Sequence, residues 1–190
     1  MAEVAIRDPD PSWAAEFART AAELSALVGD RARRIDHIGS TAIPALASKD
    51  VIDVQVTVDD EAGLDAASER LAAGGWRVRP EIVVDHVAPE APEAEREWVK
   101  RFAVEPEGNR RVNVHVRIAG RSNQRYALLF RDYLRAHPAA AVAYGTFKRR
   151  AAELLPDSLP SYVDLKDPVC DLIYLPAEEW AARVDWMPCG

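Results

Sequence analysis

Cysteine is almost absent from this sequence. The two that occur, Cys170 and Cys189, are too few for a disulfide framework, and this usage fits a reduced, cytoplasmic setting. Long apolar runs are missing as well; none approaches the ~20 residues that a membrane-spanning helix requires. The N-terminus lacks the apolar stretch of a signal peptide, because Arg7, Asp8 and Asp10 interrupt it. Positive charge is the minority sign: 24 Lys and Arg face 31 Asp and Glu, a net charge of −7. That balance points away from nucleic acid as the partner, since duplex binding relies on many phosphate contacts. Internal repeats, low-complexity tracts and dividing linkers are also lacking, so residues 1–190 read as one domain. With 48% hydrophobic and 29% charged residues, what remains is a globular chain long enough to bury a core.

The periodicity places the elements. Asp10 as N-cap and Pro11 at the first helical position open a helix through Trp13, Phe17, Leu24 and Leu27, which Gly29 stops. A strand is expected near 33–38 and another near 51–58, then a helix from Asp59-Asp60 through Leu64, Ala67 and Leu71 to Gly74-Gly75. Trp76 to Arg79 reads as a short strand. The acidic segment Glu81 to Glu97, with Pro89 and Pro92, reads as a mobile loop. Trp98 to Val104 and Val112 to Ile118 alternate as two further strands. In the second, Val112, Val114 and Val116 share one face, while Arg111, Asn113, His115 and Arg117 share the other. Helical patterning follows from Ser122, restarts at Pro138, and resumes near Tyr162, where Pro168 and Pro176 are expected to restart or bend it. Strands in the middle and helices at both ends predict an α+β arrangement, a mixed β-sheet packed by helices with a helical C-terminal half.

One segment carries the chemistry. Ile35 to Ile38 runs as a strand into Gly39-Ser40-Thr41, and a second strand follows with Asp53 inside it. Gly39 permits a positive φ or close approach to a ligand, and Ser40 and Thr41 offer hydroxyls and amides to phosphate oxygens. Asp53 is the candidate ligand for Mg²⁺. The bland alternative is a strand-to-helix turn in which Ser40 or Thr41 merely caps the next helix. Two residues beyond Asp53, where alternation would aim a second acid at the same metal, stands Gln55, a poorer, neutral ligand. The Asn113–Arg117 face either meets an anion, with His115 as a proton-transfer group, or is simply solvated. Arg131, Lys148 and Lys166 are further phosphate contacts or an ion-paired surface. Convergence of His37, His86 and His115 with Asp53 would instead make a transition-metal hydrolase site, although none has the spacing of a recognised metal motif.

Several of these segments, in order, resemble the GrpB family. They are Ile35 to Leu46, Lys49 and Ile52-Asp53-Val54, then Val114-His115-Val116, Phe130 to Arg135 with His137-Pro138, and Tyr144, Lys148, Tyr162 and Lys166. The resemblance spans nearly the whole chain and implies a nucleotidyltransferase-like fold. It also implies kinship with the domain fused behind dephospho-coenzyme A kinase in some bacteria. Ala45, Asp50 and Asn113 depart from residues common in the family, which also tends to lack the second acid. The resulting expectation is a protein that binds a nucleotide or phosphorylated small molecule, with nucleotidyl or phosphoryl transfer as its chemistry or, alternatively, a non-catalytic accessory module that kept the fold. Gly39, Ser40, Thr41, Lys49 and Arg117 would contact the ligand, Asp53 and His115 would serve any transfer chemistry, and Asp53 would hold Mg²⁺.

Overall fold

The computed structural model describes residues 4–89, 91 and 94–188; Pro92 and Cys189, used in the sequence reading, lie outside the described residues. Helix α1 (Ser12–Val28) starts behind Pro11, and the Asp10 carboxylate accepts from the Ser12 N–H at 2.8 Å, satisfying one of the open donors of the first turn. It ends where Gly29 takes φ 60°. Strand β1 (Arg34–Ile38) leads into a 3-10 turn at Ser40–Ala42, and β2 (Ile52–Val58) follows. Helix α2 (Glu61–Ala73) is capped by Asp60, whose side chain accepts from the Gly63 N–H at 2.8 Å. Asp60→Ala is expected to cost about 1 kcal/mol, the usual worth of such a cap, read as a lower urea midpoint at unchanged slope.

Three more strands, β3 (Arg77–Val78), β4 (Arg101–Val104) and β5 (Val112–Ile118), complete one sheet of order β1-β2-β5-β4-β3. Only β2 and β5 pair in parallel, so the sheet is mixed, as expected. Helices α3 (Ser122–Ala136), α4 (Pro138–Leu154) and α5 (Leu159–Arg183) form the helical C-terminal half. Among the described residues no helix is long and apolar enough to cross a membrane.

Alternation gives the sheet two unlike faces. Ile52, Val54, Val56 and Val58 of β2 and Val112, Val114 and Val116 of β5 pack with Trp13 and Leu24 of α1 and Leu64 and Leu71 of α2. The opposite face carries Asp53, Gln55 and Thr57 in register with Asn113, His115 and Arg117. That polar face is not solvated: the C-terminal helices cover it, leaving Gln55 0% and Arg117 6% exposed. Buried polar groups need partners. Here Arg117 donates to Gln55 Oε1 at 2.7 Å, and Gln55 Nε2 donates to the Gln124 carbonyl at 3.3 Å.

Two elements depart from the sequence reading. Helix α5 neither stops nor restarts at Pro168 and Pro176 but runs through both. Each ring removes one helical hydrogen bond, and packing of Cys170, Tyr174, Ala177 and Ala181 against the other helices outweighs that loss. Strand β4 begins at Arg101 rather than Trp98, because Glu95–Glu97 wind a 3-10 turn and Trp98 drops fully into the helical layer. The acidic segment read as mobile is anchored. Asp85 binds Lys100 and Arg117, and His86 Nε2 lies 3.0 Å from Asp171 on α5.

Candidate functional site

Between the polar face of β2 and β5 and the helices α3 to α5 lies a cleft of about 320 Å³. The chain after β1 enters it at Gly39, which has φ 67° and ψ −169°, a conformation suited to glycine. Space demands glycine as well: a Cβ at this position would stand 2.3 Å from Asp53 Oδ2. The bare backbone and the carboxylate are therefore built against each other.

Asp53 forms the floor. Its Oδ1 accepts from the Asn113 amide at 2.8 Å, and His115 Nε2 lies 3.9 Å away. Burial opposes the charge of Asp53, but His115, Asn113 and Lys49 outweigh it and hold the carboxyl below its ordinary range. Burial, with Arg117 adding to it, pushes His115 down to about 4, so the ring is neutral at neutral pH. Arg117 Nη2 stands 3.3 Å from His115 Nδ1, and a guanidinium only donates, so Nδ1 accepts and the proton sits on Nε2, facing Asp53. The lone pair that a general base would use is already taken.

The walls are cationic and aromatic. Lys148 on α4 donates to Ser40 Oγ at 2.8 Å and lies 4.6 Å from the Tyr144 ring centre. Lys49 sits 5.6 Å from the ring centre of Tyr162. Lys166 on α5 lies 3.3 Å from Asp167 and donates towards Cys170 Sγ at 3.5 Å. Burial pushes Lys148 down to about 7, with Lys166 adding to the effect against the pull of Cys170 and Asp53. Burial also lowers Lys49. For Lys166 burial is more than offset by Cys170 and Asp167, and its pKa is raised. Tyr126 and Phe130 extend the aromatic wall.

Of the residues singled out in the sequence, the cleft brings together Gly39, Ser40, Lys49, Asp53, Asn113, His115, Arg117, Lys148 and Lys166, with His86 at its lining too. Arg117 is committed to Asp85 at 2.8 Å as well as to Gln55. Thr41 is turned away: its hydroxyl donates to the Val51 carbonyl at 3.3 Å and meets His37 Nε2 at 3.0 Å. Arg131 is also outside, bonded to the His37 carbonyl at 3.0 Å. The three histidines do not converge. His37 stacks on Phe17, burial holding it down to about 4, and His86 belongs to Asp171. Among the described residues no group of three or more His, Cys, Asp or Glu is placed to hold a metal. Mg²⁺ at Asp53 fares no better on the donor set. Of the other acids on the cleft, Asp85 is spent on Lys100 and Arg117 and Asp167 pairs with Lys166, which leaves Asp53 as the one carboxylate without a cationic partner in ion-pair contact from a lysine or arginine. These residues do not fit a divalent-cation cage. Sequence reasoning missed Asp85, whose only local signal was its place among Ile82, Val83, Val84 and Val87 in an otherwise acidic stretch.

A mixed sheet carrying Asp53 beside a glycine turn, with helices closing that face, has the nucleotidyltransferase-like fold. The likeness extends to a structure of the Cid1 poly(U) polymerase with MgGTP bound (TM-score 0.51, 12% identity, 75% of this chain and 42% of that one), which shows the fold alone. The chain belongs to the GrpB family, whose model, described as GrpB protein, matches residues 3–175. The conserved protein GrpB from Enterococcus faecalis superposes with a TM-score of 0.76 at 27% identity, covering 93% of this chain and 99% of that one. A dephospho-CoA kinase of Mycolicibacterium paratuberculosis is 36% identical over 98% of this chain and 49% of its own length. The UPF0157 protein YqkA of Bacillus subtilis is 33% identical over 82% of this chain and 41% of its own. The chain thus spans about half the length, or less, of these two relatives.

Proposed function

We propose that the chain binds a nucleotide or other phosphorylated small molecule in this cleft. The phosphate lies at the Gly39-Ser40 turn between Lys49 and Lys148, and the ring of the ligand rests on the wall formed by Tyr126, Phe130, Tyr144 and Tyr162. The observation that carries this reading is the pair of ammonium groups on the cleft, Lys148 at the Ser40 hydroxyl and Lys49 beside the Tyr162 ring. Among the described residues, neither Lys49 nor Lys148 has a carboxylate within ion-pair reach. Ammonium groups withdrawn from water, with Asp53 as their more distant countercharge, cost free energy that an anionic ligand recovers. Asp53, steadied by Asn113, accepts from a ligand hydroxyl. The occupied lone pair of His115 and the amide of Gln55 favour binding over nucleotidyl transfer.

Thermal-shift measurements against nucleotides, inorganic phosphate and dephospho-coenzyme A, with and without Mg²⁺, test the reading. The last compound is included because relatives are dephospho-CoA kinases. A ligand at a hundred times its Kd adds about 2.7 kcal/mol of stability and raises the melting temperature accordingly. No shift with any of them would sink the proposal. Lys148→Met should fold as stably as the parent, because it removes a buried charge, yet bind roughly 10- to 100-fold more weakly through loss of a charge-assisted hydrogen bond. The ligand needs Lys148 protonated, and its pKa in the free protein is about 7. Affinity of the parent should therefore fall as pH rises above neutral, and the variant should lose that slope.

A further inference from the structure

We infer that the cleft takes its phosphorylated ligand free of divalent cation, with Lys49, Lys148 and Lys166 supplying the countercharge that Mg²⁺ supplies in a metal-dependent site. The inference rests on the reading of the cleft as a phosphate site and names the form of ligand it accepts. It begins with the acids. Asp53, Asp85 and Asp167 line the cleft among the described residues. Asp85 holds Lys100 at 2.6 Å and Arg117 at 2.8 Å, and Asp167 lies 3.3 Å from Lys166. Asp53 alone is left, with Oδ1 on the Asn113 amide and Oδ2 against the Gly39 backbone.

Gln55 stands where alternation would place a second metal-binding acid. It is 0% exposed, and both ends of its amide are used, Oε1 by Arg117 at 2.7 Å and Nε2 by the Gln124 carbonyl at 3.3 Å. It has no oxygen to turn towards a metal without breaking that pairing.

The lysines make the opposite case. They arrive from three separate parts of the chain: the segment before β2, α4 and α5. Lys148 shares the Ser40 hydroxyl of the phosphate turn, and it lies close enough to Lys49 and Lys166 to be lowered by both, as Lys49 is by Lys166. A dication entering here meets repulsion from Lys49 and Lys148, whereas a bare phosphate is attracted by both, with Lys166, shared with Asp167, adding a weaker pull. The ligand class that follows is the phosphate monoester with an aromatic ring, a nucleoside monophosphate or its like, which does not need a metal to mask its charge. Magnesium-complexed triphosphate is disfavoured.

The experiment is calorimetric titration of the full chain with AMP and with ATP, in EDTA and in saturating Mg²⁺. AMP is expected to bind equally within about twofold in both media, and ATP to bind more weakly once Mg²⁺ complexes it. Lys49→Gln should lose about tenfold for AMP in both media alike. Binding that appears only with Mg²⁺, or a Lys49→Gln defect that Mg²⁺ repairs, would overturn the inference and leave the phosphate site standing. No binding of either nucleotide in either medium would overturn both.

Discussion

Gly39→Ala is expected to destabilise the protein by about 3–5 kcal/mol, adding left-handed backbone strain to overpacking against a neighbour. In a domain of this size that is a fall of roughly 6–20 °C in melting temperature. The added methyl would lie 2.3 Å from Asp53 Oδ2 and 2.9 Å from both Asp53 Cβ and Cγ, so rotation of the carboxylate alone does not make room. Asp53→Gly in the same chain removes the collision but leaves the φ of 67°. The double variant should therefore recover part of the loss and not all of it, a coupling that urea titration of the four proteins in the cycle would resolve. Strict additivity would mean that the two residues are not packed as described. Since Asp53 moves with the turn, Gly39→Ala should also abolish ligand binding at temperatures where the variant is still folded.

Asp85→Ala should be comparably damaging for an electrostatic reason. It leaves Lys100 and Arg117, each 6% exposed, without their carboxylate, and removing one partner of a buried pair costs about 3–5 kcal/mol. Burial works against the Asp85 charge, but Arg117 and Lys100 outweigh it, and the carboxyl is held far below the usual range. The sign of the pH dependence follows. A carboxyl whose pKa is depressed on folding contributes stability that is fully present above the unfolded value of about 3.9 and is lost as pH falls below it. The parent should lose urea resistance steeply in acid. Asp85→Asn, which keeps the shape, should start lower at neutral pH and show a shallower acid slope. Equal slopes in the two proteins would remove Asp85 as the source.

Much of this was legible locally. The alternation from Val112 to Ile118 separated an apolar face from a polar one, and both faces are found as read. The glycine and the acid that flank the turn were readable because each is a local demand, one of backbone conformation and one of strand phase. What covers the polar face was not readable, since it depends on where α3 to α5 fold back, and the same alternation suits a solvated strand. The anchoring of Asp85 escaped for a related reason. Its partners lie just before β4 and on β5, and a carboxylate in an acidic stretch looks solvated until they arrive. In α5 the prolines argued locally for a restart or a bend, and tertiary packing carries the helix through both without a restart.

Ser40 and Lys148 are 108 positions apart and Asp53 and Asn113 are 60 apart, so the cleft is a product of chain closure rather than of any one segment. Closing such spans costs loop entropy before any contact returns it, and parallel pairing of β2 with β5 cannot be shortened to a hairpin. A nascent chain that has released β1 and β2 carries the turn and the carboxylate, but not the amide that steadies one or the ammonium that marks the other. On the proposed reading, the ligand site is complete only once α4 has brought Lys148 to the Ser40 hydroxyl, so bound ligand would report that this packing is in place.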